Sequence, residues 1–403
     1  MQTTSRQTYL DWLRIIAIIG VLFFHSAMPY VAYWEWHIKN PETSHVLLEM
    51  NDFLHRFRMP LLFFISGTVS YYMLQHRTGG GFLGLRFRRL FIPLLLGILV
   101  IVPPQVYLER LTQGYKGNFW QFYGEMFTTG VYPKGNMSWH HLWFICYLLV
   151  YDIVCAPLFV WLGKPNGQRF LQQFAVLAKG ARVYLLMLPS IVLYASLVFR
   201  YRATGDLVHD YLYAPYYLLF LLAGFLCIAC PMLMDSLERN RRLSLAIGFI
   251  SLVFIDYLRW THLDAIHFLP GFPMGVRYLA VAIHALCAWM WVFTAIGYGK
   301  KYLNKPSRVL GYANEAVYPF YILHQTVIVI LTYYLVQVSD GIGMKYLFTV
   351  VVTFFVSMTL FHLFIRPYAF MRLLFGMKPL PRKKTIEENA VVVDTPSVLT
   401  MGA

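Results

Sequence analysis

Long apolar runs, separated by short polar, basic or proline- and glycine-containing connections, organise the chain from end to end. About 20 apolar residues in helical conformation cross the hydrocarbon of a bilayer. By that measure the pattern predicts ten spans, at 9–30, 53–74, 90–108, 142–162, 183–199, 211–230, 243–258, 276–298, 317–336 and 346–365. The fold class expected is therefore all-α: a polytopic membrane protein of about ten transmembrane helices. No internal repeat or soluble domain interrupts the series, which predicts one transmembrane domain over 1–384 and a disordered tail at 385–403. The longest connections are 31–52, 109–141 and 163–182. In the last of these, GQRFLQQFAVLAK sets Phe170, Phe174 and Leu177 on one stripe, the pattern of an amphipathic helix lying on the membrane surface.

The first run, YLDWLRIIAIIGVLFFHSAMPY, departs from a plain membrane anchor because it carries Asp11, Arg14 and His25. Ionisable groups within a span are costly and ordinarily face a protein interior or a watery cavity. Arg14 and His25 are eleven positions apart, three helical turns plus roughly 20°, so they project from one face about 16 Å apart along the axis. Asp11 lies one turn before Arg14. The three cannot touch as a catalytic set, but they can mark the two ends of one cavity.

Composition supports the membrane reading: 58% of residues are hydrophobic, only 13% are charged, and the mean hydropathy is +0.54. The net charge of +15 does not point to nucleic acid, since the basic residues fall in short clusters between apolar runs. With the N-terminus inside, inner segments hold 22 of the 34 lysines and arginines and outer segments 11, with Arg14 within the first helix. That bias places both termini in the cytoplasm. A cleaved signal peptide is the competing reading of the first run, but the run continues through MPYVAYW, and removal would leave an odd number of spans. The cysteines, Cys146, Cys155, Cys227, Cys230 and Cys287, lie within apolar runs. Cys227 and Cys230 form C-x-x-C without a second pair or a nearby histidine cluster, so no metal site is expected and they are small packing residues.

Several other residues bear on chemistry, each beside a simpler explanation. Span two, NDFLHRFRMPLLFFISGTVSYY, has Pro60 to loosen the helix and Ser66–Gly67 to admit a close neighbour, for packing or for a pocket. Arg56 and Arg58 sit on the outer side against the charge bias, which suggests a polar or anionic ligand, although snorkelling accounts for them equally. In GGGFLGLRFRRLFIP, Arg86, Arg88 and Arg89 are either inner-face anchors or a phosphate clamp, because guanidinium groups match phosphate oxygens bidentately. MSWHHLWFICYLL puts His140, His141 and Trp143 at the outer boundary, as loop and belt residues or as ligand contacts. Outer aromatic residues such as Trp34, Trp36 and Trp120 suit a membrane belt or carbohydrate stacking. In NEAVYPFYILHQTVIVI, Glu315 and His324 are nine apart and face opposite ways on a regular helix, and His324 reads as structural or as a ligand contact. His284 and His362 read as structural. His25 stands apart because it shares a stripe with Asp11 and Arg14, and a neutral imidazole can take a proton from a hydroxyl.

Taken together, LDWLRIIAIIGVLFFH, FRMPLLFFISG, RFRRLFIP, HHLWFICYLL and NEAVYPFYILHQTV, in that order over residues 9 to about 335, resemble the motifs of acyltransferase family 3, integral membrane enzymes that move acyl groups onto sugars and other extracytoplasmic acceptors. EWHIKN, NDFLHRFRMPLLFFISG and LLFGMKPLPRKK most resemble that family's glucan-modifying branch, whose members add succinyl groups to periplasmic glucans. The resemblance implies His25 as the catalytic histidine, Arg14 as its motif partner, and Arg86 and Arg88 as donor-binding residues, with acyl-CoA, in this branch succinyl-CoA, as co-substrate. Arg58, His141, Trp143 and His324 are then the candidates for contact with a glycan acceptor. The expected setting is the bacterial inner membrane, with lipid, donor and acceptor as partners and no nucleic acid or metal. Whether His25 would act as a general base or carry the acyl group stays open at this level. The competing function is a transporter or flippase using the same charged stripe as a substrate path; a third is an assembly partner without chemistry.

Overall fold

The computed structural model describes residues 7–202, 204–261, 263 and 271–380. Arg6, the basic group at Arg382, Lys383 and Lys384, and the predicted tail 385–403 lie outside them. The chain runs through α1 (Thr8–Ala27), α2 (His45–Leu74), α3 (Gly79–Arg86), α4 (Ile92–Leu96), α5 (Pro103–Thr112), α6 (Phe119–Glu125), α7 (Trp143–Leu162) and α8 (Pro165–Gln173). It continues through α9 (Leu188–Leu197), α10 (Tyr213–Ala229), α11 (Pro231–Arg239), α12 (Arg241–Trp260), α13 (Met274–Tyr302), α14 (Arg308–Leu335), α15 (Ile342–Leu360) and α16 (Ala369–Leu374). Among the described residues there is no strand, only an isolated bridge between Val131 and Met137. The all-α polytopic fold read from the hydrophobic pattern is the fold observed.

By length and composition alone, fewer than ten of these segments qualify as spans. Among the described residues eight segments are long and apolar enough to cross a membrane, or nine if α10 and α11, bent by 103° at Cys230–Pro231, form one span. Each of the ten predicted runs falls on helical backbone, but two of those helices lack the apolar length. The run at 53–74 is the second part of the 30-residue α2, whose Asn51, Asp52, Arg56 and Arg58 interrupt the apolar sequence. The run at 211–230 is α10, only 17 residues long before the bend. The third span is one 34-residue segment from Gly79 to Thr112, threaded by π-helical turns at Phe87–Phe91 and Gly97–Ile101, the second ending just before the Pro103–Pro104 pair. The predicted amphipathic helix is likewise broken: α8 ends at Gln173 and gives way to 3-10 turns at Phe174–Ala178 and Gly180–Met187.

Helix α1 packs against α2, α13, α14 and α15, which places the ionisable residues of the first run in the middle of the bundle. Its Ile16, Ile19 and Phe23 are left exposed on one side. Peripheral helices present larger apolar faces, including Val192, Phe249, Ile250, Leu279 and Phe355, as helices facing lipid should. In lipid the hydrophobic effect does little to hold helices together, so small residues and close contact carry more of the association. The α2–α10 pair shows this. A Cβ on Gly67 would stand 1.9 Å from the Leu221 carbonyl oxygen, and one on Gly224 would stand 1.9 Å from that of Phe64. Elsewhere Trp289 stacks on Phe220 at 3.9 Å and Phe159 on Phe225 at 4.1 Å.

Gly224→Ala should therefore force the two backbones apart and cost about 1–3 kcal/mol, the usual penalty of overpacking. Thermal unfolding in detergent should show a clear fall in midpoint, whereas Gly80→Ala, where an added Cβ meets nothing within 4 Å, should leave the midpoint level or slightly raised.

Candidate active site

His25, near the end of α1, meets His324, in the middle of α14: Nδ1 of His25 lies 2.9 Å from Nε2 of His324, with the rings 5.1 Å apart and 6° from parallel. The remaining nitrogen of His324, Nδ1, lies 2.6 Å from the Tyr321 carbonyl oxygen. A carbonyl only accepts, so in the neutral pair His324 carries its proton on Nδ1 and accepts at Nε2. His25 must then donate from Nδ1, which leaves the Nε2 lone pair of His25 free. His324 is fully buried, while His25 keeps part of its surface accessible. The arrangement is a proton acceptor whose tautomer is set by a second imidazole and a backbone carbonyl.

The turn that presents His324 is braced from the 3-10 turn His140–Leu142 that opens α7. His141 donates from Nε2 to the Ile322 carbonyl at 3.0 Å, its own carbonyl accepts from the Tyr321 hydroxyl, and its ring stands edge-on to His324 at 5.3 Å. Trp143 packs among Phe63, Tyr147 and Tyr217. Both residues thus lie within the packed interior that supports the pair. Arg58 is buried with its guanidinium 3.3 Å above the ring of Phe24, the residue before His25, and its Nε and Nη1 have no hydrogen-bond partner. An uncompensated charge of this kind persists at a cost of several kcal/mol.

A cavity of about 780 Å³ opens at the other end of α1. Arg14, Arg86, Arg89, His76 and Lys378 line it, with Asp11 and Glu315 among them. Farther in, Ile18, Leu62, Ile65, Phe144 and Leu148 make an apolar neck that reaches Tyr321. Arg14 borders this cavity, as its position on the stripe suggested, holding Asn314 Oδ1 at 2.7 Å and lying 3.7 Å from Asp11. His25 is not among the lining residues. One continuous cavity marked at both ends is therefore not what the structure shows: the lining includes Tyr321, one turn before His324, but neither His324 nor His25.

The arginine triplet divides in three. Arg86 is buried and pairs with Asp152 at 2.8 Å and with Ser70 Oγ at 2.6 Å, so its charge is already matched. Arg89 borders the cavity, and Arg88 is exposed outside it. The residues that could hold an anionic ligand are Arg14, Arg89, His76 and Lys378, with Arg86 behind them. Glu315 is bound by Arg366 at 3.1 Å and Arg372 at 2.7 Å, far from His324 on the same helix, as nine-residue spacing requires. All five cysteines are buried and free. Sequence reasoning missed the His25–His324 contact, because the two residues are 299 positions apart. It also missed Arg89 as the cavity member, although the helical period puts Arg86 and Arg89 on one face and turns Arg88 away.

Compared with known proteins, residues 7–363 match the family model described as an acyltransferase domain. Curated relatives include glucans biosynthesis protein C of Escherichia coli strain K12, 22% identical over 395 residues, which cover 94% of this chain and 97% of that protein. The protein of the same name from Escherichia coli O157:H7 is 22% identical over 394 residues with the same coverage. No solved structure matches.

Breaking the Arg86–Asp152 pair from one side strands a buried charge, at about 3–5 kcal/mol. Arg86→Ala should accordingly unfold at lower temperature in detergent, and Arg88→Ala should not. Joining Arg86→Met to Asp152→Leu removes both charges and should recover most of the loss.

Proposed function

The chain belongs to the acyltransferase family whose domain it matches over nearly its whole length and is a membrane acyltransferase, and we propose that it carries an acyl group from cytoplasmic acyl-CoA to a hydroxyl of an extracytoplasmic glycan. The observation that carries this reading is the His25 Nε2 lone pair, held ready by His324 beyond the apolar end of a cation-lined cavity. The cavity mouth lies on the side where lysines and arginines accumulate, which supports a cytoplasmic opening and a bacterial inner-membrane setting with both described ends inside. There Arg14, Arg89, His76 and Lys378 would hold the phosphates of coenzyme A, and the neck of Ile18, Leu62, Ile65, Phe144 and Leu148 would take the acyl thioester. To reach His25 the thioester must pass Tyr321. An acceptor hydroxyl would approach from the opposite side, past Trp36, whose ring lies 5.4 Å from that of His25.

As the acceptor oxygen attacks the thioester carbonyl, its proton passes to Nε2 of His25. Positive charge on that ring is stabilised through the hydrogen bond from Nδ1 to His324. Negative charge develops on the former carbonyl oxygen, and Arg58, whose Nε and Nη1 are unpartnered, is the buried cation available to meet it. Collapse expels the coenzyme thiolate, which recovers the proton from His25. Direct transfer of this kind leaves no acyl group on the protein. The relatives' name supports a glucan as acceptor, and the branch resemblance supports succinyl as the group moved. Family membership sets the transporter reading aside.

His25→Ala should abolish transfer from radiolabelled acyl-CoA to glycan in proteoliposomes while the protein remains inserted. His324→Phe, which keeps the stacked ring but not the acceptor nitrogen, should lower kcat by about 10²–10⁴-fold with little change in donor KM. Normal transfer by His25→Ala would exclude the mechanism, and an unchanged mass spectrum of cell-surface glycans on deleting the gene would exclude the acceptor class.

A further inference from the structure

We propose that His37, Glu109 and His140, on the far side of Trp36 from His25, form a binding site for a divalent transition metal of the zinc class. One nitrogen of each imidazole and one oxygen of the carboxylate lie within 4.8 Å of one another. His37 Nδ1 meets Glu109 Oε2 directly, and the rings of His37 and His140 are 4.5 Å apart at 68°. The three come from separate places: the connection after α1, the body of α5, and the turn that opens α7. None forms a recognisable metal spacing in the sequence.

What surrounds the three donors is the support that a metal centre requires. A ligating histidine ordinarily has its second nitrogen held by an outer partner. His37 Nε2 lies 3.2 Å from the Gln325 side-chain amide, and His140 Nδ1 lies 3.1 Å from Ser138 Oγ. Glu109 is 3% exposed, and its Oε1 accepts from the Tyr132 hydroxyl at 3.0 Å.

The observation that points to a ligand is His140. Its Nε2 is buried and has no hydrogen-bond partner. Its backbone holds φ at +37°, a conformation that side-chain-bearing residues seldom adopt. A plain hydrogen-bonded cluster would satisfy His37 and Glu109 but would leave that nitrogen stranded without a partner. A cation at the centre satisfies all three donors. With the metal on His37 Nδ1, the proton it displaces moves to Nε2 of the same ring, and the Gln325 side-chain amide, whose Oε1 has no partner, turns to accept it there. Two imidazoles and one carboxylate match zinc, which binds such donors at about 2.0–2.2 Å and in catalytic sites keeps a further position open.

The test uses the full chain, purified in detergent, stripped with chelator and re-equilibrated with zinc chloride before removal of excess metal. Mass-spectrometric metal analysis should find about one zinc per chain, lost in His37→Ala and in His140→Ala. The metal should be kept in His25→Ala and in the Cys227→Ser/Cys230→Ser double variant. Cobalt loaded into the unmodified protein supplies a readout independent of variant folding: its spectrum should show nitrogen and oxygen ligation without a thiolate charge-transfer band. Absence of bound zinc in the unmodified chain, or zinc that follows the cysteines and not His140, would overturn the site. Because no arm reads activity, this outcome is separate from that of the acyl-transfer assay.

Discussion

A single hydrogen bond between two imidazoles, from helices near opposite ends of the chain, determines what the interior of this protein can do. His25 and His324 are worth little apart: a histidine alone on an apolar helix is most often a hydrogen-bonded structural residue. Together, with the Tyr321 carbonyl behind them, they admit one neutral arrangement of protons and leave one lone pair available. Much of the surrounding fold keeps that geometry in place. His141 and the Tyr321 hydroxyl tie the turn that opens α7 to α14, and α1 packs against four helices that hold His25 in register.

The same low-dielectric interior disciplines the other polar groups. Asp152 is fully buried and is met by Arg86 and Ser70; Lys345 reaches Asn40 at 3.1 Å; Glu315 is held by two arginines. Against that background Arg58 and His140 are among the residues whose buried nitrogens no described residue satisfies. Buried polar atoms are nearly always paired, so unpaired ones beside a potential reaction centre are where ligands, charge development or metal are to be sought. Arg58 lies over Phe24, whose ring is 5.4 Å from that of His25, and His140 connects to His25 through the rings of His37 and Trp36.

Much of the fold was legible in the hydrophobic pattern, since each predicted run lies on helix. The errors occurred where packing replaced lipid as the partner. Helix α2 tolerates arginines and aspartate because protein surrounds it, and α10 stops short because Pro231 begins a new direction. The contacts among the candidate residues were not legible. Helical period puts Arg14 and His25 on one stripe, but no periodicity within α1 indicates that α14 supplies the second imidazole. Likewise Arg86 and Arg88 carried the motif resemblance, yet one is neutralised by Asp152 and the other faces outward, while Arg89 borders the cavity. Those outcomes depend on contacts between distant segments, which spacing does not encode.

The most direct measurement is nitrogen-15 magnetic resonance of the histidine side chains in protein embedded in lipid bilayers, with His25 and His324 assigned by substitution. The structure predicts a neutral His25 protonated at Nδ1 and bare at Nε2, with a scalar coupling across the hydrogen bond from His25 Nδ1 to His324 Nε2. A His25 ring protonated at Nε2, or one whose resonances do not change when His324 is replaced by phenylalanine, would contradict it.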